Sequence, residues 1–162
     1  MVTQVNSSGT GNAGNLKIET GELIIRGGAQ ISSGTFGNGN GGNLTIHAEE
    51  SVVLKDVSTN GRLNILATQV NSLGTGNAGD LTIETARLIL QDGAFVSSAT
   101  FGKGNGGNLH IRATESVELM GLNSFGFGSQ LVTGIRPQAI GDAGNISIET
   151  GQLLLNDGAG IV

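Results

Sequence analysis

The run Gly11-Asn12-Ala13-Gly14-Asn15-Leu16-Lys17-Ile18-Glu19-Thr20 returns 65 residues on as Gly76-Asn77-Ala78-Gly79-Asp80-Leu81-Thr82-Ile83-Glu84-Thr85, and again as Gly141-Asp142-Ala143-Gly144-Asn145-Ile146-Ser147-Ile148-Glu149-Thr150. Self-similarity at a fixed period is the signature of a stacked repeat, in which one unit cannot bury its apolar face alone. A second, related phrase lies inside each period, at Gly42-Asn43-Leu44-Thr45-Ile46 and Gly107-Asn108-Leu109-His110-Ile111. One 65-residue period therefore holds two unequal units, of 28 and 37 residues, whose coils start near 15, 43, 80, 108 and 145.

Each unit opens with period-two alternation, the strand signal. The five openings align into two apolar columns, Leu16/Leu44/Leu81/Leu109/Ile146 and Ile18/Ile46/Ile83/Ile111/Ile148. Seven or eight residues later come Leu23/Val52/Leu88/Val117/Leu153 and Ile25/Leu54/Leu90/Leu119/Leu155, and the odd units add Ala29/Ala94/Ala159 and Ile31/Val96/Ile161. A helix would space its apolar residues by three and four, and a β-sandwich would not require one residue type in one column five times. Parallel stacking does require it, because column neighbours sit about 4.8 Å apart. The expectation is an all-β, right-handed parallel β-helix of about five coils, with three short strands each, forming one domain over 1–162 and a rod about 24 Å long.

Composition agrees. Of 162 residues 29 are glycine, against roughly 7% in average usage, and they fall mostly at the corners. With no Cys there is neither a disulfide framework nor a thiolate metal site. A net charge of −5 without a Lys/Arg cluster argues against nucleic acid as a partner. No stretch approaches the roughly 18–20 apolar residues of a membrane helix, and the start lacks the basic and apolar regions of a signal peptide.

Three outward columns are candidates for a role beyond packing. The corner before each first strand reads Asn15, Asn43, Asp80, Asn108, Asn145, a structural ladder of residues that tolerate left-handed backbone and bond along a stack. A charge ladder reads Glu19, His47, Glu84, Arg112, Glu149, acid alternating with base, and its value is register. The third column, Ile24, Val53, Ile89, Glu118, Leu154, is apolar although it points outward. Either the even-unit insertion Arg62 to Leu73, with Leu63, Ile65, Leu66 and Val70, covers this stripe, or the stripe is a contact surface. Coverage is the preferred expectation.

Sites of chemistry are harder to find. Calcium would need a carboxylate column, but Asp92 and Asp157 share a corner with Gly27. Asp56 and Asp80 have no acidic companions for acid-base work, Glu49-Glu50 reads as a solvated turn, and neither His47 nor His110 repeats in its column. Gly37 to Gly42 lacks the Gly-Lys-Ser/Thr of a phosphate loop. Phe36 and Phe101 recur in glycine-rich loops and read as side packing in preference to sugar platforms. No catalytic residue, metal ligand or cofactor is expected, and the protein is expected not to be an enzyme.

The phrases Gly-Asn-Ala-Gly-Asn/Asp-Leu-x-Ile-Glu-Thr, Asp92-Gly93-Ala94, Ser98-Ala99-Thr100-Phe101-Gly102, Gly104-Asn105-Gly106-Gly107-Asn108-Leu109 and Glu115-Ser116-Val117-Glu118-Leu119 carry a resemblance that extends over nearly all the chain. They resemble the repeats of filamentous-haemagglutinin-like bacterial exoproteins secreted by the two-partner route. The resemblance implies a structural and adhesive β-helical shaft, extracellular or at the bacterial cell surface. It implies a host or neighbouring-cell glycan or protein as partner, and an outer-membrane transporter engaged through a domain absent here. The family's Asn-Pro-Asn-type secretion motifs have no counterpart, the only proline being Pro137 in the insertion 122–140. The ends, which stop within units, suggest a fragment of a longer array that self-associates end to end. The alternatives are a glycan-active, pectin-lyase-like β-helix enzyme with its site in the insertions, and a protein-binding scaffold using the apolar stripe.

Overall fold

The computed structural model describes residues 1–58, 60–135 and 138–162; Pro137 and the part of the insertion around it lie outside them. Among the described residues there are eleven strands and no helix. Five long strands, β2 (Leu16–Arg26), β4 (Leu44–Lys55), β6 (Leu81–Leu90), β8 (Leu109–Leu119) and β10 (Ile146–Leu155), form one parallel sheet in chain order. Six short strands form the other, also parallel and in chain order: β1 (Val2–Val5), β3 (Gln30–Thr35), β5 (Ile65–Val70), β7 (Phe95–Thr100), β9 (Gln130–Val132) and β11 (Gly160–Ile161). A third line of contact consists of single parallel bridges, Thr10 to Asn38 to Thr75 to Lys103 to Ile140.

The repeated columns are the register. Leu16, Leu44, Leu81, Leu109 and Ile146 are successive partners, as are Ile18, Ile46, Ile83, Ile111 and Ile148. In the three middle long strands these side chains are buried, and with Leu66, Val96 and Leu131 of the short strands they make one core. Removing a Leu or Ile side chain of this kind from water contributes about 1.5–3 kcal/mol.

Two expectations change. The first and second of the three short strands are one long strand in each rung, broken only by a register shift. Odd strands place one residue at the shift (Gly21, Ala86, Gly151), while even strands place two (Glu49-Glu50, Thr114-Glu115). This bulge is the physical content of the seven-or-eight spacing. The threonine of each Ile-Glu-Thr caps it, since the hydroxyls of Thr20, Thr85 and Thr150 donate to the carbonyls of Glu22, Arg87 and Gln152. Glu49 and Glu50 are thus exposed bulge residues within a strand, and not a turn.

The second correction concerns Arg62 to Leu73, which does not cover the apolar stripe. Its central part is β5, with Leu66 and Val70 fully buried in the core and Ile65 to Val70 paired to β3 and β7. This is the even-unit counterpart of the strand carrying Ile31 and Val96. It sits later in its unit because a longer corner, Asp56 to Asn64, comes first.

Glycine is required at two corner positions for close approach between rungs. A Cβ on Gly42, Gly79, Gly107 or Gly144 would lie 2.0–2.2 Å from the carbonyl oxygen of the preceding rung's glycine. Gly39, Gly76, Gly104 and Gly141 meet the same obstacle and also have positive φ, which L side chains resist. Inside these corners runs a column of hydroxyls, buried at Ser33, Thr68, Ser98 and Thr133. Gly14 O accepts from Thr3 and Ser33, Gly79 O from Thr68 (2.6 Å) and Ser98 (2.8 Å), and Gly144 O from Thr133. Gly79 is buried, and Thr68 and Ser98 supply its carbonyl with donors in place of water.

Candidate functional surfaces

The residues Asn15, Asn43, Asp80, Asn108 and Asn145 stand in one line at the corner. Each side-chain oxygen accepts the backbone N–H of the next: Asn43 N to Asn15 Oδ1 at 2.9 Å, Asp80 N to Asn43 Oδ1 at 3.0 Å, Asn108 N to Asp80 Oδ1 at 2.8 Å and Asn145 N to Asn108 Oδ1 at 3.0 Å. The amides of Asn108 and Asn145 add side-chain bonds to Asp80 and Asn108. Only an acceptor oxygen is needed, which is why Asp serves at 80.

A second ladder of the same kind runs three residues earlier and was not singled out from the sequence. Asn40, Asn77, Asn105 and Asp142 donate backbone N–H groups to the side-chain oxygens of Asn12, Asn40, Asn77 and Asn105, all at 2.8–2.9 Å. Its signal is legible in Gly-Asn/Asp-x-Gly-Asn/Asp, which occurs in all five units.

The charged column lies on the outer face of the long-strand sheet, with Glu19, His47, Glu84, Arg112 and Glu149 as successive partners. His47 Nδ1 is 3.4 Å from Glu84 Oε2, and Arg112 Nε is 3.8 Å from Glu149 Oε2. Glu19 pairs along its own strand with Lys17 Nζ at 2.7 Å. That hydrogen bond and charge, with a smaller contribution from His47, hold the Glu19 carboxyl below the usual glutamate range. All these groups are at least half exposed, so solvent screens each pair and its contribution to stability is small.

Beyond the bulge, Ile24, Val53, Ile89, Glu118 and Leu154 form the apolar column, again as successive partners. Ile24 is 48% exposed, and Val53, Ile89 and Leu154 are half-buried. Among the described residues no segment lies over them in the way Leu44 or Leu81 is covered.

Asp92 and Asp157 share their corner with Gly27, and all three have positive φ (59°, 53° and 66°), as has Asp56 (55°) one rung away. The left-handed turn accounts for the exchange of Asp with Gly at this corner. Among the described residues no three His, Asp or Glu side chains are grouped closely enough to hold a metal ion.

The structure also brings together residues that no column predicts. The even-unit corners Asp56 to Asn64 and Gly121 to Ser129 are long, and between them lies an apolar cleft of about 400 Å³. Phe101, a recurrent aromatic, lines a neighbouring cleft on the outer face of the short-strand sheet that shares Phe95 and Gln130 with it. Phe36, its counterpart, is exposed.

No family model, curated protein or solved structure matches this chain.

Proposed function

We propose that the chain is a segment of a right-handed parallel β-helix, five coils of it, and serves as the structural and adhesive shaft of a secreted, surface-exposed haemagglutinin-like bacterial protein. The observation that carries this reading is the rung order. In both sheets the strands pair in chain order, each with its counterpart in the neighbouring repeat unit, and in the long-strand sheet like residues stand in register. Such a stack spends its sequence on spacing and stiffness. Its polar corners are consumed by ladders. The partners on this reading are a glycan or protein of a host or neighbouring cell, further copies stacked end to end, and an outer-membrane transporter engaged through a domain outside this chain.

The test is immunogold labelling of intact, unpermeabilised cells of the producing organism with antibodies raised against this chain. Dense surface label, together with reduced adherence after deletion of the gene, is expected; label confined to permeabilised cells overturns the proposal. A second reading, a protein-binding scaffold, is favoured by the uncovered column Ile24, Val53, Ile89 and Leu154. Replacing Ile24 and Ile89 by Thr keeps strand propensity and distinguishes the two, because it weakens a docked partner and leaves shaft assembly unchanged.

A further inference from the structure

The two copies of the repeat do not diverge evenly. About two-thirds of the positions from 11 to 55 are identical 65 residues later, but only three of the twenty from 56 to 75 are. The divergent segment contains the long corner and the short strand of the even unit, and both outward clefts are lined by it. Stacking demands sameness, so a difference confined to one ridge has another origin.

The second long corner is built to reach across rungs. Asn123 Oδ1 accepts the backbone N–H groups of Phe125 (2.9 Å) and Phe127 (3.0 Å), closing the loop. The loop lies over Gly93, whose Cβ position is 2.8 Å from Asn123 Cβ, and touches the first long corner, where the Phe125 ring is 3.0 Å from the Cβ position of Gly61. A cleft of about 400 Å³ opens between the two corners, with Phe95, Leu63 and Phe127 among its lining and Gln130 at its side. Among the described residues no charged one lines it. Phe125 and Phe127 are 70% and 65% exposed, a cost in water that packing does not explain.

Charge is concentrated to one side of the cleft along the ridge. Arg62 precedes Leu63 in the first corner and lies against Gly28, while Arg26 and Lys55 are paired neighbours at the same edge. None of the three has an ion pair among the described residues. The nearby acids are Asp56 at the start of that corner and Asp92, which faces Gly121 on the far side. The equivalents of Arg26, Lys55 and Arg62 in the next copy are Gln91, Met120 and Phe127. Along about two rungs, roughly 10 Å, the ridge therefore passes from cationic to apolar.

We propose that this cleft binds an anionic amphiphile, a medium-chain carboxylate whose body enters between Leu63, Phe95 and Phe127 and whose head meets Arg62. The volume sits at the lower end of small-ligand sites, which suits one chain and excludes a bulky ligand. The inference stands independently of the shaft reading.

The test is calorimetric titration of the whole chain with monomeric decanoate and with 1-decanol. Expected are saturable one-site binding of decanoate that weakens with salt, loss of tenfold or more in affinity in Phe127→Ser, and a three- to tenfold loss for decanoate but not for decanol in Arg62→Gln. Phe127 is exposed and its counterpart in the first copy is Arg62, so the substitution leaves the core intact; circular dichroism checks this. Gln130→Trp, which fills the cleft from its side, should abolish the same binding. Absence of saturable binding, unchanged binding in both Phe127→Ser and Gln130→Trp, or equal effects of Arg62→Gln on both ligands overturns the proposal. Association with anionic phospholipid vesicles but not with monomeric decanoate also overturns it, in favour of a lipid surface.

Discussion

At the residue scale, the glycine corners discriminate between two uses of the same amino acid. A Cβ on Gly79 would lie 2.2 Å from the Gly42 carbonyl oxygen, which is backbone fixed by ladders on both sides, whereas one on Gly21 meets nothing within 4 Å. Gly79→Ala should therefore cost at least about 3 kcal/mol, at the upper end of overpacking penalties. Gly21→Ala should be neutral or stabilise by about 0.4–1 kcal/mol through the unfolded chain. Urea unfolding of the two variants checks the contrast, and similar midpoints would refute the close-approach account. The Lys17–Glu19 pair supplies a pH argument. Because the Glu19 carboxyl is held below its unfolded value, its contribution is present above the ordinary glutamate range and disappears as pH falls through the depressed folded value. In Lys17→Gln the Glu19 carboxyl should titrate at higher pH than in the parent, measured by carboxyl ¹³C chemical shifts, with overall stability little altered because the pair is exposed.

At the element scale, polar groups set the corners. In Asn77→Asp the acceptor for Asn105 N is kept, and its column neighbours Asn40 and Asn105 are neutral, so the cost should stay below about 0.5 kcal/mol. Asn77→Ala removes the acceptor and should cost about 1 kcal/mol. Inside the corner, Gly79 O has two hydroxyl donors, Thr68 and Ser98. Thr68→Val and Ser98→Ala each leave one; the double variant leaves none. Their combined cost should exceed the sum of the single costs by about 1 kcal/mol in a double-mutant cycle, and simple additivity would show that the carbonyl finds another donor. The same elements show what can be read from residues. Strand type, parallel pairing and column register were legible at Leu16, Leu44, Leu81 and Leu109, because stacking repeats the residue itself. The strands β5 and β9 were not, since the nine-residue corner before each shifts its offset, and Gln130-Leu131-Val132 keeps only Leu131 of Ile65-Leu66-Ala67. The cleft was illegible for the same reason: its walls are the positions where the copies differ.

At the scale of the whole molecule, two kinds of rung alternate, and the alternation has an energetic consequence beyond length. Odd long strands carry glutamate at the charged column and one residue at the bulge; even strands carry His47 or Arg112 and two residues. Excising residues 76–140 joins Thr75 to Gly141 and places β10 against β4, so that Glu149 follows His47 and an odd strand still follows an even one. Excising residues 44–80 joins Asn43 to Leu81 and places β6 against β2, two odd strands, with Glu84 beside Glu19. The second chain retains more rungs, but it sets two carboxylates about 4.8 Å apart. Raising salt from about 0.01 M to about 1 M shortens the screening length from about 30 Å to about 3 Å. The chain lacking 44–80 should accordingly gain more stability from salt than the chain lacking 76–140, by up to about 1 kcal/mol. Its net charge is the smaller of the two, −3 (6 Lys/Arg against 9 Asp/Glu) compared with −4 (4 against 8), so repulsion over the whole molecule predicts the opposite order. Urea titrations of both chains at the two salt concentrations decide between them, and an equal or reversed response would mean that the column of alternating charge does not set the order of the rungs.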